Sequence, residues 1–87
     1  MSNTEMFANK EAFKVLLELL GLIKNKTISP KEGNRISSII GKAQKLIEKG
    51  LKEFKKSNGL SSIDKYESDA MVLIDEAKLK LEEMKNN

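Results

Sequence analysis

The sequence predicts an all-α fold, a three-helix up-down-up bundle with two long helices that is completed by homodimerisation. Three segments carry apolar residues at spacings of three and four, and each ends in residues typical of helix termini. The connections between these segments are short, so consecutive helices are expected to lie antiparallel. The chain of 87 residues contains one Pro and five Gly, which favours a single domain, residues 1–87, built from long regular elements.

The first helix is predicted over about residues 9–24. Two starts are open: Ser2 with Glu5 has the pattern of a capping box, and Asn9 is an equally good N-cap. On a helical wheel the polar residues of this segment share one narrow strip, in which Glu11 and Glu18 flank Lys14 as in an ordinary intrahelical ion pairing.

The rest of the first helix is apolar over an arc of roughly 200°, about twice the width that a surface helix usually shows. One neighbouring helix cannot cover such an arc, and each Å² of apolar surface left in water costs about 25 cal/mol. The pattern favours a homodimer in which this helix contributes to a shared core, and the alternative is a compact monomer with this helix at its centre. The predicted self-association residues are Phe13, Leu16, Leu17, Leu19, Leu20, Leu22 and Ile23.

The second helix is predicted over about residues 30–56 and has the clearest start signal in the chain. Ser29 is the expected N-cap, Pro30 occupies the first helical position, and Glu32 is the capping-box partner of Ser29. Gly50 lies on the apolar stripe, where we expect a close approach of another helix or a bend. The whole stripe comprises Ile36, Ile39, Ile40, Ala43, Leu46, Ile47, Gly50, Leu51 and Phe54.

Cations recur on the opposite side of the second helix. Residues 30–56 carry a net charge of +5, against +1 for residues 1–29 and −3 for residues 57–87. Such a row suits an acidic partner, the phosphates of a nucleic acid or an anionic membrane surface. It is also the ordinary solvated face of an amphipathic helix, which acids of the third helix can neutralise. The row, named here the basic face, comprises Lys31, Arg35, Lys42, Lys45, Lys49, Lys52 and Lys56.

The third helix is predicted over about residues 62–84. Gly59 suits the left-handed C′ position of a Schellman motif that ends the second helix, with Leu60 as its apolar contact. Ser61 or Ser62 is then the N-cap of the third helix. Its predicted core stripe comprises Ile63, Tyr66, Ala70, Leu73, Ile74, Ala77, Leu81 and Met84.

Two apolar residues fall on the polar side of the third helix. Val72 and Leu79 are seven residues apart beside Ser68 and Asp75, and Met71 also lies off the core stripe. Isolated apolar side chains are ordinary on protein surfaces, whereas a pair at this spacing suits the docking of a partner helix. The sequence favours the first interpretation and leaves the second open.

The composition excludes several classes of function. Cys and His are both absent, which excludes disulfides, thiolate nucleophiles, the usual zinc ligand sets and His-dependent catalysis. Adjacent acids such as Asp75 and Glu76 diverge by about 100° on a helix, and the sequence contains no glycine-rich phosphate loop. We therefore expect no enzyme, no catalytic or metal site and no cofactor. No signal peptide or membrane span is evident, so a cytoplasmic location is expected.

One segment resembles a pattern found in small phage and prophage proteins. Residues 22–45, LIKNKTISPKEGNRISSIIGKAQK, contain a short linker, an I-S/T-x-x-E start and a long helix with Ile and Ala at spacings of three and four. Gly33 departs from the alanine that is usual in that pattern. The resemblance implies a small helical regulatory or accessory protein that binds a host component or a copy of itself. The matching positions are Ile28, Ser29, Glu32, Ile36, Ile39 and Ala43.

We interpret the sequence as a small non-enzymatic protein–protein interaction or regulatory module, which includes a phage-encoded binder or inhibitor of a host protein. The alternative is a sequence-nonspecific nucleic-acid-binding protein that uses the basic face. Arg35 is the only Arg in the chain, so such binding is expected to contact the phosphate backbone rather than base edges.

Overall fold

A computed structural model of the chain describes residues 7–57 and 60–86, which form three α-helices. Helix α1 spans Phe7–Lys24, α2 spans Pro30–Ser57 and α3 spans Leu60–Lys85, and the described residues contain no strand. Helices α2 and α3 make the most extensive contact, and α1 packs against both. The predicted all-α bundle is confirmed.

The core between the three helices is aliphatic. The predicted stripes of α2 and α3 are confirmed where their side chains are described; Phe54 and Ile63 lie outside the described side chains. Met71, which the sequence places off the core stripe, is partly buried against the core. The buried apolar residues in the described part are Ala8, Ala12, Val15, Leu19, Ile28, Ile36, Ile40, Ala43, Ile47, Ala70, Ile74, Ala77 and Leu81.

The capping box at the start of α2 is confirmed. The Glu32 N–H donates to Ser29 Oγ, and the Ser29 N–H donates to Glu32 Oε1, both at 3.2 Å. Pro30 is the first residue of the helix, as expected. Each partner therefore satisfies a backbone N–H that lacks an acceptor within the helix.

Helix α1 ends in a Schellman motif that the sequence analysis missed. Lys26 has a φ of 67°, the left-handed conformation of the C′ position. The Lys26 N–H donates to the carbonyl of Ile23 at 3.1 Å, and the Thr27 N–H donates to that of Leu22 at 2.9 Å. The chain then turns, and Ile28 enters the core. This turn sets the position of α1 relative to the start of α2.

Two glycines of α2 lie where a larger residue would meet a neighbouring helix. A Cβ added at Gly50 would lie 2.9 Å from the Cβ of Tyr66 on α3, closer than the separation of about 3.5–4.0 Å at which carbon atoms pack best. A Cβ added at Gly33 would overlap the Cδ1 of Ile23 on α1. The close approach predicted at Gly50 is confirmed, and Gly33, the departure from the phage pattern, makes room for the Ile23 side chain of α1.

Three of the predicted N-cap candidates lie within helices rather than before them. Asn9 lies inside α1, and Ser61 and Ser62 lie in the first turn of α3 rather than before it. At the start of α1, the Ala8 N–H donates to Glu67 Oε2 of α3 at 3.2 Å. A carboxylate from another helix therefore satisfies this N–H, a contact that no local pattern in the sequence predicted. The proposed partners Ser2 and Glu5, and the C′ residue Gly59, lie outside the described residues.

Candidate interaction surfaces

Helix α1 turns its acids toward α3. Glu11 is buried, and its carboxylate lies 2.7 Å from Lys78 Nζ of α3 and 3.4 Å from Lys14 Nζ. Glu18 lies 2.8 Å from Lys85 Nζ, again on α3. The expected pairing of Glu11 with Lys14 is present, but the shorter contact is made with a lysine 67 residues away in sequence. The acids of the polar strip thus form part of the interface between α1 and α3.

These contacts shift the ionisation of two groups. The hydrogen bond from Lys78 lowers the pKa of Glu11 below its ordinary value; burial opposes this shift, and Lys14 adds to it. The hydrogen bonds to Glu18 and then Glu82 raise the pKa of Lys85. Both groups are held in their charged forms, which favours the docking of α1 on α3.

The other side of α1 carries exposed apolar side chains. Phe13, Leu17 and Leu20 are 61%, 53% and 63% exposed. Their spacings of four and three place them on one face of the helix. Exposed lysines, Lys10 and Lys24, lie at the two ends of this face. The three apolar residues are named here the α1 strip.

The structure divides the predicted self-association residues. The residues of the α1 strip are accessible, whereas Leu19 is 3% exposed in the core, which corrects its assignment to a surface for a second copy. Helices α2 and α3 of the same chain cover part of the wide apolar arc, so the accessible surface is narrower than predicted. Three further predicted residues are partly buried against the core: Leu16, Leu22 and Ile23.

The side of α3 that points away from the core carries a second apolar feature. Val72 and Leu79 are each 67% exposed, so their predicted position on the polar side is confirmed. Exposed acids border them: a row at seven-residue spacing lies on one side, and Asp75 lies on the other. The row consists of Asp69, Glu76 and Glu83. The two apolar residues and these four acids are named here the α3 outer face.

The basic face lies on the side of α2 that points away from the core, and all seven of its cations are exposed. From Lys31 to Lys56 it extends about 38 Å at the helical rise of 1.5 Å per residue. Within the described ranges, ion pairs join acids to Lys14, Lys78 and Lys85, and none involves a cation of the basic face. Neutralisation by acids of α3 is therefore not seen in the part of the chain that the structure describes.

Sites of other kinds have little support in the described residues. These residues contain no group of three or more acids placed to hold a metal ion. An open cleft at the α1–α2 connection is lined by residues such as Ile23, Lys26 and Pro30, and its lining includes no acid. As far as the described residues extend, none of the helices has an apolar stretch of the length that crossing a bilayer requires.

No protein-family model matches the chain, and neither curated proteins nor solved structures give a significant match. The resemblance of residues 22–45 to small phage and prophage proteins stays a prediction. Function is therefore inferred from the surfaces of the chain itself: the α1 strip, the α3 outer face and the basic face.

Proposed function

We propose that this chain is a small non-enzymatic protein–protein interaction module that associates with a second copy through the α1 strip. The observation that carries this proposal is the exposure of Phe13, Leu17 and Leu20 on one side of a helix whose other side is packed. Contiguous apolar surface of this kind is typical of interaction sites, whereas single exposed apolar residues are ordinary.

The size of the strip sets the expected strength of the complex. Full burial of one Leu or Phe side chain contributes about 1.5–3 kcal/mol, and more than half of each side chain of the strip is exposed. Association opposes this gain with about 4 kcal/mol or more of lost translational and rotational freedom. The strip therefore supports a weak complex, with a dissociation constant that is roughly micromolar or higher.

The proposed arrangement is an up-down-up bundle whose α1 strip is covered in a homodimer. Contacts between α1 and α3 support the topology, because residue numbers rise together along both helices. In such a bundle each helix has one side that points away from the core, and a dimer is the smallest assembly that covers the α1 strip. The contacts join Ala8 to Glu67, Glu11 to Lys78 and Glu18 to Lys85.

Sedimentation of the wild type and the Leu17→Glu variant tests the proposal. The wild-type mass is expected to rise toward a dimer with concentration, whereas Leu17→Glu stays monomeric because association would bury its carboxylate. Far-UV circular dichroism should show unchanged helicity, since Leu17 is 53% exposed in the single chain. Phe7→Glu is the matched control: Phe7 is 60% exposed but lies off the strip, so association should persist. A wild type that stays monomeric at about millimolar concentration would contradict the proposal.

A second candidate function is sequence-nonspecific binding of nucleic acid by the basic face. It is favoured by seven exposed cations that form no ion pair with a described residue. Lysines contact phosphates as point charges, so a row of lysines suits backbone binding without base recognition. The two candidate functions use different helices, and single substitutions can therefore separate them.

A further inference from the structure

We infer that the α1 strip of one chain is covered by the α3 outer face of a second copy, rather than by the α1 strip of that copy. This inference rests on the self-association proposed above and names the surface that completes it. Both faces carry exposed apolar side chains and both lie away from the core: the α1 strip on one helix, and Val72 and Leu79 among four acids on the other.

Charge disfavours the pairing of the α1 strip with itself. The strip ends at the exposed residues Lys10 and Lys24, and the acids Glu11 and Glu18 are engaged by lysines of α3. An antiparallel pair of α1 helices would place Lys10 of one copy beside Lys24 of the other. A parallel pair would place each lysine beside its own counterpart. Both orientations bring like charges together, which opposes association.

The α3 outer face complements the strip in charge and in spacing. Asp69 and Glu83 are 14 residues apart, as are Lys10 and Lys24, and 14 residues span about 21 Å of helix. A lysine therefore meets an acid at both ends of the contact, whichever way the two helices point. Opposite charges at matched positions favour this pairing and discriminate against the alternative.

The apolar residues of the two faces have the same spacing. Val72 and Leu79 are seven residues apart, as are Phe13 and Leu20, so two helical turns of each helix present apolar side chains to the other. Asp69 and Glu83 lie at the two ends of the contact, and Val72 and Leu79 lie between them. Glu76 borders this apolar pair on one side, at the level of Leu17. An apolar patch bordered by charged residues is common in helix-to-helix recognition. The i, i+7 pair on α3 is then the second half of an interface rather than two stray residues.

The α1 strip of each copy contacts the α3 outer face of the other, and these two equivalent contacts close a dimer. Each contact uses a different surface on each copy, so two variants that each disable one surface, and a mixture of them, test it. Leu17→Glu disables the α1 strip but keeps the α3 outer face, whereas Leu79→Lys disables the α3 outer face but keeps the strip. Sedimentation velocity is measured on the wild type, on each variant and on a one-to-one mixture of the variants. We expect each variant alone to be a monomer and the mixture to form a dimer, because each variant supplies the face that the other lacks.

The alternatives give different results. If Leu79→Lys associates as the wild type does while Leu17→Glu does not, the inference is overturned and self-association through the α1 strip stands. A mixture that stays monomeric also overturns the inference. A wild type that is itself monomeric overturns the proposed function and this inference with it.

Charge reversal gives a second test that needs no change to an apolar residue. Lys10→Glu with Lys24→Glu is expected to weaken association of the chain at least about tenfold. Adding Asp69→Lys and Glu83→Lys to the same chain should restore it, because opposite charges again meet at both ends. All four side chains are exposed, so the bundle should fold in each variant. Restoration supports the contact of α1 with α3, and failure of restoration argues against it.

Discussion

Gly50 and Gly41 occupy the same helix but have different surroundings. A Cβ at Gly50 would meet the Cβ of Tyr66 at 2.9 Å, whereas a Cβ at Gly41 has no neighbour within 4 Å. The Cβ of Tyr66 is attached to the backbone, so it can give way only if α2 and α3 separate. The residue at position 50 therefore controls how closely the two long helices pack.

We expect Gly50→Ala to lower the free energy of unfolding by roughly 1–3 kcal/mol, because overpacking costs more than the helix propensity of Ala returns. Gly41→Ala is the matched control and should raise the free energy of unfolding by up to about 1 kcal/mol. Thermal and urea denaturation followed by far-UV circular dichroism measure both. Equal stabilisation by the two substitutions would show that the close approach at Gly50 does not limit packing.

At the scale of single residues, contacts between neighbours in sequence could be predicted, whereas contacts between residues far apart in sequence could not. The capping box of Ser29 and Glu32 was predicted because both partners lie within one turn. The left-handed conformation of Lys26 was missed because Lys carries none of the preference that Gly or Asn shows for it. The contact of Ala8 with Glu67 was missed because 59 residues separate them in sequence.

Among the helices, α1 is the one whose buried side could not be predicted from the spacing of its apolar residues. The stripes of α2 and α3 are narrow enough to indicate which side faces the core. The apolar arc of α1 is too wide to do so, and several orientations bury a similar apolar area. Lys78 and Lys85 favour the orientation in which Glu11 and Glu18 face α3. The exposure of the α1 strip follows from that orientation.

The ion pair of Glu11 predicts how the docking of α1 depends on pH. Its pKa is lower in the folded chain than in the unfolded chain, chiefly because of the hydrogen bond from Lys78. The ion pair therefore stabilises the fold above the unfolded pKa, and this stabilisation is lost as the pH falls through the folded pKa. Glu11→Gln is expected to be less stable than the wild type near neutral pH and to lose less stability on acidification.

Urea denaturation at about pH 6 and about pH 3, on either side of the ordinary Glu pKa, measures this difference. Glu48→Gln is the control, because Glu48 is exposed on α2 and forms no ion pair with a described residue. Its stability should fall on acidification as that of the wild type does. The same loss in Glu11→Gln would mean that the Lys78 contact contributes nothing to the pH dependence.

In the molecule as a whole, the sides of the three helices that point away from the core differ in character. The side is apolar on α1, basic on α2, and acidic with two apolar residues on α3. The charge asymmetry was visible in the sequence because charged residues stay on the surface wherever the helices pack. Which residues form the α1 strip could not be predicted in the same way. Leu17 and Leu19 are the same residue type, and only their packing against the other helices makes one exposed and the other buried.

If the basic face binds nucleic acid, the affinity should depend strongly on salt concentration. Each phosphate contact then releases counterions, and the logarithm of the affinity for a single strand falls with the logarithm of salt concentration by about 0.7 per contact. Fluorescence anisotropy of a labelled single-stranded DNA oligonucleotide measures this slope. Lys42→Glu with Lys49→Glu should weaken binding and make the slope shallower, because both lysines lie within the basic face.

A matched control separates the basic face from net charge alone. Lys65→Glu with Lys80→Glu changes the net charge by the same amount, but both exposed lysines lie on α3. Binding through the basic face predicts that this pair changes the affinity much less than the α2 pair does. Equal losses would indicate attraction by overall charge rather than by a defined face. Absence of binding at about 50 mM salt, where electrostatic attraction is strong, would exclude binding of single-stranded DNA by the basic face and leave the α1 strip as the better-supported candidate surface.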